Sequence, residues 1–330
     1  MQNRLQKLKN TRAENLMQGD AVNFSQLLPG AIFPLMIMPK FSGLVLAEWI
    51  KENAEWLSLK LKKHGAVLFR GFDVDTVQKF QHFITAFDEA PLQYTQRPSP
   101  RYEVAENVYH STTYPADQII NMHSENSYAV NWPMKIIFCC IQPAEQMGET
   151  PIADNRLVLN YMSSELKDKF LQKQVKYVRN ISPALGLGWQ EVFQTTDRGK
   201  VEEDCKKSGM TFQWEEGDRL ILSWNKKAIY DHPQTDEPIW FNHAFFFNKY
   251  ALEDDMLSSF DSEDQLPFNT QFGDGSEISK EEIQEIRSAY QKASVVFPWE
   301  KGDVLYMDNM LMAHGRNAYK GSRQIVVSMF

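Results

Sequence analysis

Asn121-Met122-His123-Ser124-Glu125-Asn126 is the stretch from which this chain is read. In an extended segment, side chains two apart leave the same face, so His123 and Glu125 point at one spot while Ser124 points away. An imidazole nitrogen and a carboxylate oxygen so placed form two corners of a metal site. Spacing alone is weak support: with seven His and 43 acidic residues among 330, about one His-x-acid pair arises by chance. The surrounding sequence has to decide.

The C-terminal stretch Asp308-Asn309-Met310-Leu311-Met312-Ala313-His314-Gly315-Arg316 is followed by Gly321-Ser322-Arg323 and an apolar run from Ile325 to Met329. His314 would complete a set of two histidines and one carboxylate, the facial arrangement whose open positions suit non-haem Fe(II) and oxygen chemistry. Arg323 would then offer a fixed two-pronged donor to a carboxylate held at that metal. Its competing reading is a structural ion pair with Asp303 or Asp308. Between these pieces lies Gly148-Glu149-Thr150-Pro151-Ile152-Ala153-Asp154.

Together the three pieces resemble the taurine dioxygenase (TauD/TfdA-like) family of Fe(II)/2-oxoglutarate-dependent oxygenases, over most of the chain from Gly65 onward. Ala66-Val67-Leu68-Phe69-Arg70-Gly71-Phe72 looks like that family's early strand. The resemblance implies His123, Glu125 and His314 as catalytic metal ligands, Thr150 as a contact to the cosubstrate 2-oxoglutarate, and Arg323 as the partner of its distal carboxylate. O2 is the second cosubstrate so implied. The implied fold is mostly β with flanking helices, around a double-stranded β-helix (jelly-roll, clavaminate synthase-like) core. His232-Pro233 leading to Trp240-Phe241-Asn242, with the His-Gly-Arg ending, is most similar to amino-acid hydroxylases related to the syringomycin-pathway aspartyl hydroxylase. The implied activity is hydroxylation of an aliphatic C–H of a small substrate, a free or carrier-bound amino acid in antibiotic biosynthesis. Met147 stands where the family commonly has glycine, and Ala318 where it commonly has proline.

At 43% hydrophobic residues, the chain can form one large core or two small ones. Ligands from opposite halves of the chain that share one metal require a single core. The expected organisation is an N-terminal extension, 1–40, and one oxygenase domain, 41–330, with an insertion around 185–290. A net charge of −8 argues against a nucleic-acid partner, since phosphate backbones are bound by clustered Lys and Arg. The basic run Arg4 to Arg12 is short and reads as a solvated helix. No apolar stretch approaches the ~20 residues of a membrane span, and no signal-peptide core is present, so a cytoplasmic location is expected. A homo-oligomer is compatible with everything in the sequence. Cys139 and Cys140 read as buried thiols, and Cys205 as exposed in a charged segment.

Along the chain, the pattern predicts a helix from Ser42 to Lys63, a strand Ala66 to Phe69 and a helix Asp75 to Phe87. Ala90 to Ile119 is polar and proline-punctuated, either a lid or a plain surface connection. Lys135 to Ile141 suits a strand buried on both faces. A helix from Asp154 to Leu171 precedes short strands at Val175–Ile181, Gly209–Trp214, Arg219–Ser223, Lys227–Tyr230 and Ile239–Phe246. Tyr250 to Gly275 reads as loop, then Ser279 to Lys292 as helix. Final strands are expected at Ala293–Phe297, Val304–Met307 and Gln324–Phe330. Asn121, Asn242 and Arg316 are the candidate substrate contacts, with His243 the other histidine able to reach a pocket. The alternative from a different class is a metal-binding β-barrel without turnover, or a Zn(II) hydrolase. Nothing in zinc hydrolysis requires an arginine placed like Arg323.

Overall fold

The apolar run after Pro133 forms the strand Lys135–Gln142, and the rest of the molecule is arranged about it. In the computed structural model, residues 21–28, 30–87, 89–92, 103–112, 114–183, 186–258, 260, 262 and 265–330 are described. The basic run Arg4 to Arg12 and part of the Ala90 to Ile119 connection lie outside those residues.

Lys135–Gln142 pairs antiparallel with Val304–Asp308 on one side and Gln324–Met329 on the other. The sheet continues through Ala66–Phe69, Leu35–Pro39 and Val22–Gln26 at one end, and Val108–His110 and Glu103–Ala105 at the other. Alternate side chains leave opposite faces of a strand, and here both faces are covered. Ile137 and Cys139 join a core with Trp49, Leu57 and Phe80 of the helices Leu46–Glu52, Ala54–His64 and Val77–Ile84. Ile136, Phe138 and Cys140 join a different core, shared with Ile152 and Met312. Those two belong to a second sheet, in the order Ser294–Val295, Ile152–Asp154, Met312–Arg316, Ile120–His123. The two sheets enclose this core as a jelly-roll, the expected architecture.

A further four-stranded sheet, Thr211–Glu215, Arg219–Lys226, Val175–Ile181 and Phe268–Phe272, stands beside the barrel. Its Tyr177 and Leu222 share a third core with Leu166 and Phe170 of the helix Ser164–Lys173 and with Ile283 and Ile286 of Lys280–Ala293. Among the described residues no helix is long and apolar enough to cross a membrane.

Several elements differ from the sequence pattern, each for a local reason. The helix expected from Ser42 begins at Leu46 and breaks at Asn53, whose amide donates to the Trp49 carbonyl at 2.7 Å. The helix expected over Asp154 to Leu171 is two, Asn155–Tyr161 and Ser164–Lys173, because Ser163 caps the second by accepting from the Leu166 amide. Asn and Ser compete with backbone pairing in this way wherever a helix can be re-started. The strand read from Ile239 stops at Trp240, after which the Asn242 side chain accepts from the Ala244 amide and turns the chain. Tyr250 to Gly275 is not all loop, for it contains the strand Phe268–Phe272. Cys205 is buried, not exposed: the charged segment is a helix, Arg198–Lys207, and Val201 and Cys205 share its inner face at i, i+4 spacing.

Candidate active site

The strand Ile120–His123 ends at the first histidine, so His123 and Glu125 do not share one extended run as expected. Glu125 stands in the turn beyond, followed by Asn126 in the left-handed region at φ 55°. Two buried asparagines hold that turn. Asn309 accepts from the Glu125 amide at 2.8 Å and donates to the carbonyls of Glu125 at 2.9 Å and Pro133 at 2.8 Å. Asn155 donates to the Ser124 hydroxyl at 3.0 Å and the Met310 carbonyl at 2.8 Å. The carboxylate is thereby fixed from its backbone, and its side chain is left to face the histidines.

His314 comes from the neighbouring antiparallel strand, Met312–Arg316, directly opposite His123 in register. Cross-strand partners project on the same face, and the two rings lie with centroids 4.5 Å apart. Beyond His314 the register shifts at Gly315. A Cβ there would meet the Ile120 carbonyl oxygen at 2.7 Å, so only glycine fits after the histidine. The His123 Nδ1 lies 2.9 Å from the Asn121 carbonyl. A carbonyl only accepts, so Nδ1 carries the proton and Nε2 keeps its lone pair toward the site.

One donor atom from each of His123, Glu125 and His314 lies within 4.8 Å of the others. Two imidazoles and one carboxylate, with no thiolate among them, fit a first-row divalent metal that keeps open positions.

The trio opens into a cavity of about 580 Å³. Thr150, just before the strand Ile152–Asp154 of the second sheet, and Arg323, just before the strand Gln324–Met329 of the first, both line it. Arg323 Nε donates to the Gly148 carbonyl at 2.9 Å and Nη2 to the Thr150 hydroxyl at 3.3 Å, while Trp299 donates to the same hydroxyl at 3.1 Å. Neither acid of the competing reading is its partner. Asp303 is held bidentately by Arg70, at 3.0 and 2.7 Å, and Asp308 faces His232 at 3.1 Å. Burial, then the nearby charge of Arg316, lowers the Arg323 pKa to about 10. A cation desolvated without a carboxylate is costly until an anion arrives.

The candidate substrate contacts separate. Asn121 lines the cavity and its amide donates to the Ala251 carbonyl at 3.1 Å. Arg316 lines it too, but its guanidinium donates to the carbonyls of Tyr114 at 2.8 Å, Gln118 at 2.6 Å and Pro115. It straps the 114–118 segment against the strand that carries His314. Asn242 does not line the cavity and instead braces a turn, donating to the Ala228 carbonyl at 2.8 Å. Its neighbour His243 is on the wall, with Nδ1 2.6 Å from the Ser127 hydroxyl. Burial holds the His243 pKa well below the ordinary imidazole value, so it is neutral. Asn309 and Asn155 escaped the sequence reading. The one available sign was the polar pair Asp308-Asn309 interrupting an apolar run from Val304 to Ala313.

Comparison with known proteins gives matches along almost the whole chain. A family model described as "Taurine catabolism dioxygenase TauD, TfdA family" matches residues 31–329. The dapdiamide synthesis protein DdaC of Enterobacter agglomerans is 38% identical over 273 residues, spanning 82% of this chain and 83% of that one. A clavaminate synthase-like protein of Arabidopsis thaliana is 27% identical over 316 residues, 91% of each chain. Among solved structures, PvcB of Pseudomonas aeruginosa superposes with a TM-score of 0.56 at 16% identity, covering 96% of this chain and 93% of that one, which shows a shared fold.

Proposed function

The chain belongs to the taurine catabolism dioxygenase TauD, TfdA family, and from that premise we propose that it is an Fe(II)- and 2-oxoglutarate-dependent hydroxylase of an amino-acid substrate, free or carrier-bound, in a natural-product pathway. The observation that carries the cosubstrate reading is Arg323, a partly buried guanidinium on the wall of the cavity that holds His123, Glu125 and His314, with no carboxylate paired to it among the described residues. The biosynthetic setting rests on DdaC, which is named for dapdiamide synthesis.

When bound, Fe(II) and 2-oxoglutarate supply the activation of O2 for attack on an unactivated C–H bond; the protein supplies position and dryness. His123, Glu125 and His314 would hold the metal on one face. Arg323 and Thr150 would clamp the distal carboxylate of 2-oxoglutarate through charge-assisted hydrogen bonds. Phe246 and Phe247 on the wall keep water from the reacting carbon, and the Arg316 strap keeps the 114–118 segment seated at the rim. The oxygenase domain is read as 41–330, with the segment 1–40 adding the two outer strands, Val22–Gln26 and Leu35–Pro39, and residues 185–290 as the insertion.

Two measurements test this. Iron-dependent conversion of 2-oxoglutarate to succinate should be seen, and hydrolysis of esters or amides with Zn(II) and no 2-oxoglutarate requirement would overturn the reading. A screen of free amino acids and carrier-bound aminoacyl thioesters should then give a product heavier by one oxygen atom. Turnover of taurine or an aryloxyacetate, with none on any amino-acid substrate, would remove the amino-acid assignment.

A further inference from the structure

The cavity wall carries a histidine that the metal-binding trio does not use. His243 is 4% exposed and lines the cavity. Its backbone amide donates to the hydroxyl of the fully buried Tyr177 at 2.9 Å. Its ring is boxed by Tyr128 and Phe247, each with a centroid 4.8 Å away, by Phe246 at 5.2 Å and by His123 at 5.8 Å. Backbone and ring are both held in place before any ligand arrives.

Ser127 decides which ring nitrogen carries the proton. It is fully buried, its hydroxyl lies 2.6 Å from His243 Nδ1, and that hydroxyl has no other hydrogen-bond partner among the described residues. A hydroxyl has one proton to place, and a buried donor left without an acceptor costs more than an ordinary hydrogen bond returns. Nδ1 is the acceptor within reach, so Ser127 donates to it, and the proton of the neutral imidazole sits on Nε2. Burial keeps the ring neutral. Nε2 makes no hydrogen bond to a described residue, and it is not sealed off as His314 Nδ1 is. A buried ring on the cavity wall with one open nitrogen presents that N–H to the cavity. The surrounding wall, with Phe246, Phe247, Phe268, Leu252 and Leu266, is apolar.

We propose that His243 binds the substrate, its Nε2–H donating to a neutral oxygen acceptor, the carbonyl of an amide, ester or thioester, while the phenylalanine wall holds the apolar chain attached to it. This rests on the reading of the cavity as an oxygenase active site and narrows its substrate: an amino acid presented in acylated or esterified form, not as the free zwitterion. An ammonium has no lone pair to accept from Nε2. A carboxylate gains one bond there but no opposite charge to offset its desolvation. A carbonyl loses less on leaving water than either ion and gains the bond. Ser127 acts through His243 as a positioning residue, holding the tautomer.

Two measurements on the full-length protein test this. Long-range proton–nitrogen NMR of metal-free protein carrying 15N-histidine, with the His243 signals identified by their loss in His243→Gln, should show the Nε2–H tautomer, and Ser127→Ala should leave a mixture of tautomers. Calorimetric titration of the protein loaded anaerobically with Fe(II) and 2-oxoglutarate then compares octanamide and methyl octanoate with octanoate and octylammonium. The two neutral carbonyl compounds should bind about 2- to 10-fold tighter than either ion, as expected for one neutral hydrogen bond. His243→Phe, which keeps a ring but no donor, should erase that preference, and His243→Gln, with an N–H near the Nε2 position, should restore part of it. The visible band of the Fe(II)/2-oxoglutarate complex checks that the metal site of each variant is intact. An Nδ1–H tautomer in the unmutated protein, equal binding of all four compounds, binding of none, tighter binding of either ion, or a carbonyl preference that survives His243→Phe would overturn the proposal. Absence of the band in the unmutated protein would count against the oxygenase assignment instead, while the tautomer, read without metal, still reports on His243.

Discussion

His123 and His314 face each other across one antiparallel strand pair, directly opposed in register, with ring centroids 4.5 Å apart. The distance between the two imidazoles is therefore set by the spacing of neighbouring strands, which side-chain motion cannot easily change. A site built this way is preorganised before any metal binds, and Glu125, in the turn after His123, adds the third donor.

His123→Ala or His314→Ala should abolish stable Fe(II) binding and turnover while leaving the fold intact, because two donors cannot hold a facial site against water. Bound iron and the visible band of the anaerobic Fe(II)/2-oxoglutarate complex measure this. Wild-type band strength in either variant would refute the ligand assignment.

Asn309→Ala should be more damaging than an ordinary polar truncation. It leaves the buried Glu125 amide and two carbonyls without their partner, which costs about 2–4 kcal/mol in unfolding free energy. It also frees the turn that aims the carboxylate, so Fe(II) affinity should fall roughly 10–100-fold. Urea unfolding and metal titration read the two effects separately, and a variant that loses stability but binds iron normally would show that Asn309 does not position Glu125.

Arg323→Gln should leave iron bound and raise the 2-oxoglutarate concentration needed for half-maximal turnover. A charge-assisted contact at a partly buried site is worth about 1.5–3 kcal/mol, or roughly 10- to 150-fold. An unchanged requirement would make Arg323 a purely structural residue.

Lys226 gives a pH-dependent prediction. Its ammonium donates to the Ala129 carbonyl, lies 4.8 Å from the Trp132 ring centroid and has no ion pair among the described residues. Burial lowers its pKa to about 8. The unfolded chain, with lysine near its ordinary value of about 10.4, binds more protons across that interval, so this group's penalty is full below pH ~8 and fades as pH rises toward ~10.4. Lys226→Met should therefore compare more favourably with the parent protein at pH 7 than at pH 10, by about 1–2 kcal/mol after solvent screening. A difference in unfolding free energy that does not vary with pH would contradict the origin assigned to the shift.

The sequence by itself carried the chemistry and the periodic elements. The strand Lys135–Gln142 was legible because burial on both faces demands an unbroken apolar run, and the helix read from Ser279 to Lys292 is found at Lys280–Ala293, where Ser279 and Glu282 form a capping box. The three metal-binding candidates and Arg323 are marked by residue type, spacing and family resemblance, and Thr150 by the resemblance alone. What tertiary structure decided is which polar groups are already satisfied. Arg316 and Arg323 are alike as letters, yet the first is bound to three carbonyls, and the second has a hydroxyl and a carbonyl but no anion among the described residues. Likewise Asn309 and Asn242 differ only by what the folded chain brings to them, a ligand-bearing turn in one case and a plain turn in the other. Hydrogen bonds and ion pairs between distant segments depend on register and sheet stacking, and a one-residue slip would exchange every inward side chain for an outward one. Local pattern specifies the strands, and only their pairing specifies which charge is left to meet a ligand.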